Sequence, residues 1–313
     1  MNGLELSEKY YRTYGAPMLH DLFPEIEGIV AVGLVGSGSE CLGYDDELSR
    51  DHDFEPSFTI FLPPEEVVDR QTAFKLERAY AKLPDEFMGL KRNKDVSFDT
   101  GRRGVLRAAD FFLSKVGDEE GNLTFDKWLT LPEHYLLEAT SGKIFRDDLG
   151  LMTDVRKKLA YLPDDVRKKK LAGALMLAEQ ASEHNYERLL SRGDSAGAQL
   201  AVIEYCREVI SVLFLLARKY KPFYKWQFRA LEDTPFAALK EDLEGLISTG
   251  NGVGEAIEKR SRIRRVNGVI GEALRAEGLS DYDGLHLDAF AQCVNGKVKD
   301  PSLRNLHILS GAE

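Results

Sequence analysis

Cysteine is scarce, with three residues in a chain of 313: Cys41, Cys206 and Cys293. They are far apart and none has a CxxC spacing, which argues against both a disulfide framework and a zinc site. Free thiols suit a reducing compartment, so a cytoplasmic protein is expected. No apolar run approaches the ~18 residues that span a bilayer. The nearest, VIEYCREVISVLFLLARKY, carries Glu204, Arg207 and Glu208 and reads as a buried helix. The opening residues, MNGLELSEKYYRTYG, lack the basic-then-apolar layout of a secretory leader. Positive charge is also short. Forty-two Lys and Arg stand against 52 Asp and Glu, a net charge of -10, which argues against a nucleic-acid partner, because phosphate counterions are displaced by a positive field. The local basic runs at 156–158, 167–170 and 259–265 read as solvated helix faces. His134, His184, His286 and His307 show no ligand spacing. Neither a GxSxG elbow nor a Ser-His-Asp arrangement appears, so covalent hydrolysis has nothing to rest on.

What is present suffices for two ordinary domains: hydrophobic residues make up 43% and charged residues 30%. Residues 7–22 read as helix, broken around Gly15 and Pro17. GIVAVGLV at 28–35 is a short β-branched run, a good buried strand. FEPSFTIFL at 54–62 alternates as a second strand, with Pro56 disturbing its start. Pro63 and Pro64 end it and open a helix over 65–83. Residues 96–98 and 105–108 suggest a hairpin around Thr100-Gly101, and beyond Asp110 the pattern turns helical. After about residue 154 strand signals almost vanish. Helical windows follow at 164–192, 196–219, 235–247 and 253–277, with Asp194-Ser195 as a helix cap. The expected fold is α+β: a small mixed sheet with flanking helices over 1–150, then an all-helical domain over 151–313. KIFRDDLGLM at 143–152 reads as the turn-rich boundary.

Chemistry is concentrated in GSGSECLGYDDELSRDHDF, residues 36–54. Gly36 and Gly38 allow close backbone approach and can aim N–H groups at an anion. Ser37 and Ser39 add hydroxyl donors. Such a turn cradles phosphate, or serves as a plain glycine hinge. It is neither a Walker A loop nor a GxGxxG fingerprint. Asp51 and Asp53 are two apart, so on a strand their carboxylates share a face while His52 points away. Carboxylates held that close repel unless a cation sits between them. A hard divalent ion such as Mg²⁺ takes carboxylate and phosphate oxygens together. Taken alone, the pair could equally end a strand in solvent. With the turn, it points to a nucleotide–metal site. Arg50 could touch a phosphate in bidentate fashion. Asp45, Asp46 and Glu47 crowd the spacer, either as a solvated loop or as a mouth that attracts a cationic acceptor.

A Gly-Ser turn, an eleven-residue spacer and Asp-x-Asp resemble the signature of the DNA polymerase β-like nucleotidyltransferase superfamily. The wording here is similar to one bacterial domain-of-unknown-function branch of it. WLTLPEHYLLEATSGKIFRDDLG, HNYERLLSRGD and KYKPFYKWQFRAL carry that likeness through most of the chain. The resemblance implies that Gly38 and Ser39 hold a nucleoside triphosphate, ATP or another, and that Asp51 and Asp53 bind one or two Mg²⁺ ions. It also implies a third carboxylate as metal ligand or base. The strand where that acid is expected offers Val105, Leu106 and Arg107 instead. Asp99 is the preferred substitute, with Asp110 close by.

In small-molecule members of that superfamily, such as the aminoglycoside-modifying enzymes, a helical C-terminal domain closes the cleft. Asn185, Arg188 and Arg192 share a helix face that could reach a triphosphate, or could pair with Glu183 and Glu187 at the surface. In KYKPFYKWQFRAL the aromatics are expected to pack around Pro222, and Lys225 is the candidate triphosphate contact. Trp226 could stack on a base or belong to the core. The expected activity is transfer of a nucleoside monophosphate, AMP from ATP, to a hydroxyl of a small molecule. Modification of a protein side chain and a nucleotide-sensing module with an incomplete acid set are the alternatives.

Overall fold

The computed structural model describes residues 1–46, 55–92 and 103–312. The chain is α+β and forms two compact units: Met1–Leu123 with Tyr135–Ala160, and Thr124–His134 with Tyr161–Glu313. The interleaving has a local cause. Gly121 lies against Val155 and Leu159, 3.0 Å and 3.1 Å from where its Cβ would stand, which keeps the helix Thr153–Lys158 in the first unit. The Leu129 carbonyl accepts from Lys170 Nζ at 3.3 Å, which ties the helix Phe125–Thr130 into the second.

The first unit holds strands β1 (Ala31–Leu34), β2 (Thr59–Leu62), the two-residue β3 (Glu86–Phe87) and β4 (Leu90–Lys91), β5 (Gly104–Arg107) and β6 (Lys143–Asp147). Four of them form one sheet in the order β5-β2-β1-β6, and β3 pairs with β4 as a separate ribbon. β2 and β6 run antiparallel to β1, while β5 runs parallel to β2. AVGL and TIFL are buried at every position, as strands covered on both faces must be. Val32, Ile60 and Leu62 join Tyr10, Tyr11, Leu19, Leu76 and Tyr80 in one cluster. Phe61 packs edge-on against Phe111, with centroids 5.5 Å apart. Burying each such side chain stabilises the fold by roughly 1.5–3 kcal/mol.

Several local expectations are corrected. The N-terminal helix does not break at Gly15. Gly3–Tyr10, a π-helical turn Tyr11–Gly15 and Ala16–Leu22 run on continuously. Pro17 directly follows the π-helical turn, where the regular α-helical hydrogen-bond ladder is already interrupted. A Cβ on Gly15 would stand 2.5 Å from Phe58 Cζ, so glycine serves packing there. The helix after the prolines is Arg70–Ala81, capped by Asp69, whose carboxylate accepts the Thr72 amide at 2.7 Å. The start of the hairpin expected over 96–108 lies outside the described residues, and β5 pairs parallel with β2. KIFRD, read as linker, is the edge strand β6. Its Lys143 and Arg146 reach Glu8 (2.5 Å) and Glu27 (2.6 Å).

In the second unit the expected windows are filled by Asp164–Glu179, the π-helical Gln180–Tyr186, Glu187–Ser191, Ser195–Leu216, Lys240–Ser248 and Val253–Ala276, followed by Leu287–Gly296. Asp194 caps its helix through the Gly197 amide at 2.8 Å. The run RKKK at 167–170 is not a solvated face, because all four residues are buried. Four consecutive positions go once round a helix, and this helix is enclosed on all sides. Arg167 meets Glu277 (3.0 Å) and the Leu215 carbonyl (3.4 Å). Lys168 meets Asp164 (2.7 Å). Lys169 meets Asn295 (2.9 Å) and the Leu306 carbonyl (2.7 Å). Cations thus close the carbonyl ends of neighbouring helices, where the backbone dipole favours them. Lys259 is likewise buried, held by Gln199 (2.5 Å) and Asn251 (2.8 Å). No helix among the described residues is long and apolar enough to cross a membrane.

Candidate functional site

β1 stops at Leu34 and the chain enters the Gly-Ser turn. Gly36 (φ 104°) and Gly38 (φ 124°) take left-handed backbone that only glycine adopts without strain. Ser39–Leu42 then makes one helical turn, closed by Gly43, whose amide returns to Glu40. The Tyr44 amide donates to the Ser39 carbonyl at 2.8 Å. Ser37, Gly38 and Ser39 are partly exposed between buried Gly36 and Glu40. Among the described residues, the amides of Ser37 and Gly38 have no acceptor. Donors without a backbone acceptor are what an anion cradle uses. Glu40 places a carboxylate beside it, with Oε2 3.5 Å from Ser39 Oγ, so a polyphosphate there needs a cation with it.

The turn is gripped from behind. Ser141 Oγ donates to the Gly36 carbonyl at 3.0 Å, and the Gly142 amide to the Cys41 carbonyl at 2.9 Å. A Cβ on Gly142 would lie 2.2 Å from the Leu34 carbonyl oxygen. Arg156 Nη2 reaches the carbonyls of Thr140, Ser141 (2.9 Å) and Gly142 (3.4 Å). Burial pushes the Cys41 thiol up to about 12, so it is a packing residue and not a nucleophile. Asp45 accepts the Gly3 amide at 2.8 Å, which gives it a structural partner at the start of the N-terminal helix.

Asp51, Asp53, Arg50 and Asp99 lie outside the described residues. The ends of the segments that contain them are described. β2 begins at Thr59 opposite Gly33, near the end of β1. β5 begins at Gly104 beside Thr59. Both connections, 46–55 and 92–103, therefore join the sheet at the end that carries the Gly-Ser turn. At that same end Glu55 forms an ion pair with Arg103, a contact that nothing in the local pattern announced. Asp110 is placed elsewhere. It follows the last residue of β5, which pairs with Leu62 at the opposite end of the sheet. There it lines a cleft of about 530 Å³ with Leu62, Glu65, Arg70, Phe74 and Arg107. Both arginines of that cleft are committed, Arg107 to the carbonyls of Pro63 (2.6 Å) and Val68 (3.0 Å) and Arg70 to Glu65 (2.8 Å).

Asn185, Arg188 and Lys225 belong to the second unit and are exposed. Asn185 sits in the π-helical segment, Arg188 in the helix after it. Glu187 does not pair along that face; both its oxygens take Arg260, at 2.6 and 2.7 Å. Lys225 Nζ lies over the Trp226 ring, 5.3 Å from its centroid. The aromatics of KYKPFYKWQFRAL do not all pack as core. Tyr220 is buried, but Phe223 (44% exposed) and Tyr224 (73%) face solvent. Lys221 of this stretch is half-buried; its Nζ meets Ser211 Oγ at 2.7 Å and its amide donates to Glu133 at 3.1 Å. A further cluster, Glu179, His286 and Asp288, brings ligand atoms within 4.8 Å of one another. Glu179 is already spent on the helix Leu287–Gly296, accepting the Leu287 amide (2.7 Å) and meeting His286 Nδ1 (2.9 Å).

The family model described as "Domain of unknown function (DUF4037)" matches residues 128–227. That segment contains Ser141, Gly142, Arg156, Asn185, Arg188 and Lys225, and leaves the Gly-Ser turn outside. No curated protein and no solved structure matches the chain.

Proposed function

We propose that this protein is a Mg²⁺-dependent nucleotidyltransferase that moves a nucleoside monophosphate, AMP from ATP, to a hydroxyl of a small molecule. The observation that carries the proposal is topological. The Gly-Ser turn, the connection containing Asp51 and Asp53, and the connection containing Asp99 all attach at one end of one sheet. This common attachment supports a reading in which a phosphate cradle and three carboxylates share a locality, as the resemblance to the polymerase β-like superfamily implies.

In this reading the amides of the turn and the hydroxyls of Ser37 and Ser39 hold the polyphosphate. Asp51 and Asp53 would hold Mg²⁺, and their hard oxygen donors suit it. The metal would supply neutralisation of charge on the phosphates. The acceptor hydroxyl attacks the α-phosphorus, the bond to the bridging oxygen breaks, and pyrophosphate leaves. Asp99 takes the hydroxyl proton. Arg50 is a further candidate phosphate contact. The placement of Asp110 at the far end of the sheet leaves Asp99 as the better third acid. A catalytically weak nucleotide sensor is the second reading, favoured by the absence of an acid from β5.

Calorimetry with each nucleoside triphosphate and Mg²⁺, on wild type and Asp53→Asn, tests the site. Mg²⁺-dependent binding that Asp53→Asn abolishes supports it; no binding to the folded wild type sinks it. Incubation with α-labelled ATP then separates the activities. Label on a small molecule supports the proposal, label on protein points to side-chain modification, and binding without any transfer leaves a sensor.

A further inference from the structure

Arg156 belongs to a run that reads as solvent-facing, and its neighbours Lys157 and Lys158 are exposed. Arg156 itself turns inward. Its guanidinium fans over three successive carbonyls, those of Thr140, Ser141 and Gly142, at the end of the helix Glu133–Thr140. On their other side Ser141 and Gly142 press on the Gly-Ser turn, through Ser141 Oγ to Gly36, the Gly142 amide to Cys41, and the close approach of Gly142 to Leu34.

Among the described residues no carboxylate hydrogen-bonds to Arg156. Asp147 acts on it only through space, and Asp147 Oδ2 is committed to the amides of Met152 (3.0 Å) and Thr153 (2.7 Å). Lys115 and Glu138, the other charged pair near Cys41, cancel each other at 2.6 Å. The positive charge of Arg156 is felt at Cys41, inside the short helix of the turn. The carbonyls it caps favour a cation here, and the same cation adds positive potential at a neighbouring anion site.

We propose that Arg156 is the positioning residue of the phosphate-binding turn, holding residues 140–142 against Gly36 and Cys41 and setting a positive charge behind the anion site. The inference rests on the nucleotidyltransferase reading of that turn. Arginine is required because a planar fork can serve three carbonyls at once, while lysine supplies a point charge.

The test has two arms on the full chain. The first uses no ligand: hydrogen exchange at the amides of residues 36–43. Arg156→Ala should quicken it about tenfold or more while Val32 and Ile60 stay slow, because the loss is local. The second measures binding of Mg²⁺-tripolyphosphate and Mg²⁺-ATP by calorimetry. Arg156→Ala should weaken both about tenfold, equivalent to ~1.4 kcal/mol. Arg156→Lys should loosen the turn yet keep most of the affinity, since the charge remains; a purely structural arginine would not split the two readouts. Ser141→Ala removes one strut only and keeps the test alive if Arg156→Ala does not fold. Unchanged exchange in the variants overturns the latch. Faster exchange with undiminished affinity in Arg156→Ala overturns its role in binding. A wild type that binds neither ligand overturns the nucleotide reading and the role built on it, and the exchange arm shows that failure apart from failure of the latch.

Discussion

Gly142 approaches Leu34 so closely that a Cβ on Gly142 would stand 2.2 Å from the Leu34 carbonyl oxygen and 2.8 Å from the Val35 Cα. Both obstacles are backbone at the end of β1, and Gly142 has φ +75°. Glycine is therefore fixed there by sterics and by conformation together.

Gly142→Ala should consequently destabilise the first unit by more than ~3 kcal/mol, because the clash cannot be relieved by a side-chain rotation. Gly43→Ala is the control. Gly43 has a similar φ of +74° but nothing within 4 Å of its Cβ position, so a loss of about 1 kcal/mol is expected. Urea titrations of the two variants check the difference; equal midpoints would show that the contact does not matter.

Gly38→Ala should act on binding more than on stability. Its φ of 124° with ψ 149° is glycine backbone, so alanine forces the turn into another shape at a cost of ~1–3 kcal/mol. Calorimetry should find Mg²⁺-ATP affinity lost in a protein whose far-ultraviolet circular dichroism is unchanged. Retained affinity would mean that the turn is a hinge and holds no phosphate.

Lys169→Met should destabilise the second unit by about 2 kcal/mol, since it removes the charge-assisted hydrogen bonds of a buried lysine to Asn295 and the Leu306 carbonyl. Lys157→Met removes an exposed cation paired with Asp154, where both side chains are more than half exposed, and should change stability by less than ~0.5 kcal/mol. Thermal melts distinguish the two, although the residues come from similar basic runs.

His286 should make the second unit more stable at acidic pH. The Glu179 carboxylate hydrogen-bonded to it raises its pKa from 6.5. A raised folded-state value means a contribution fully present below 6.5 and lost as pH climbs through the folded value. The side chain is 64% exposed, so solvent screening keeps the effect under ~1 kcal/mol. Melting temperatures at pH 6 and pH 8.5 should fall further for wild type than for His286→Gln. Parallel falls would refute the coupling.

The amino-acid sequence by itself determined the elements whose signal is local. β1 and β2 are short apolar runs bounded by glycine or proline. The long helices of the second unit follow from periodicity, and Asp194 marked one helix start. The Gly-Ser turn and the spacing of Asp51 and Asp53 carried the chemical suggestion. Tertiary structure alone decided three other matters. It made KIFRD an edge strand, because a partner 114 residues earlier, Val32 opposite Arg146, supplies its pairing. It buried RKKK at 167–170, because burial depends on how many elements surround a helix and on whether carbonyl ends are there to receive the cations. It also set Asp110 at the end of the sheet away from the Gly-Ser turn, because only strand order and direction show which end an element joins. Periodicity and spacing are properties of neighbours along the chain; enclosure, pairing and convergence are properties of residues that meet only on folding.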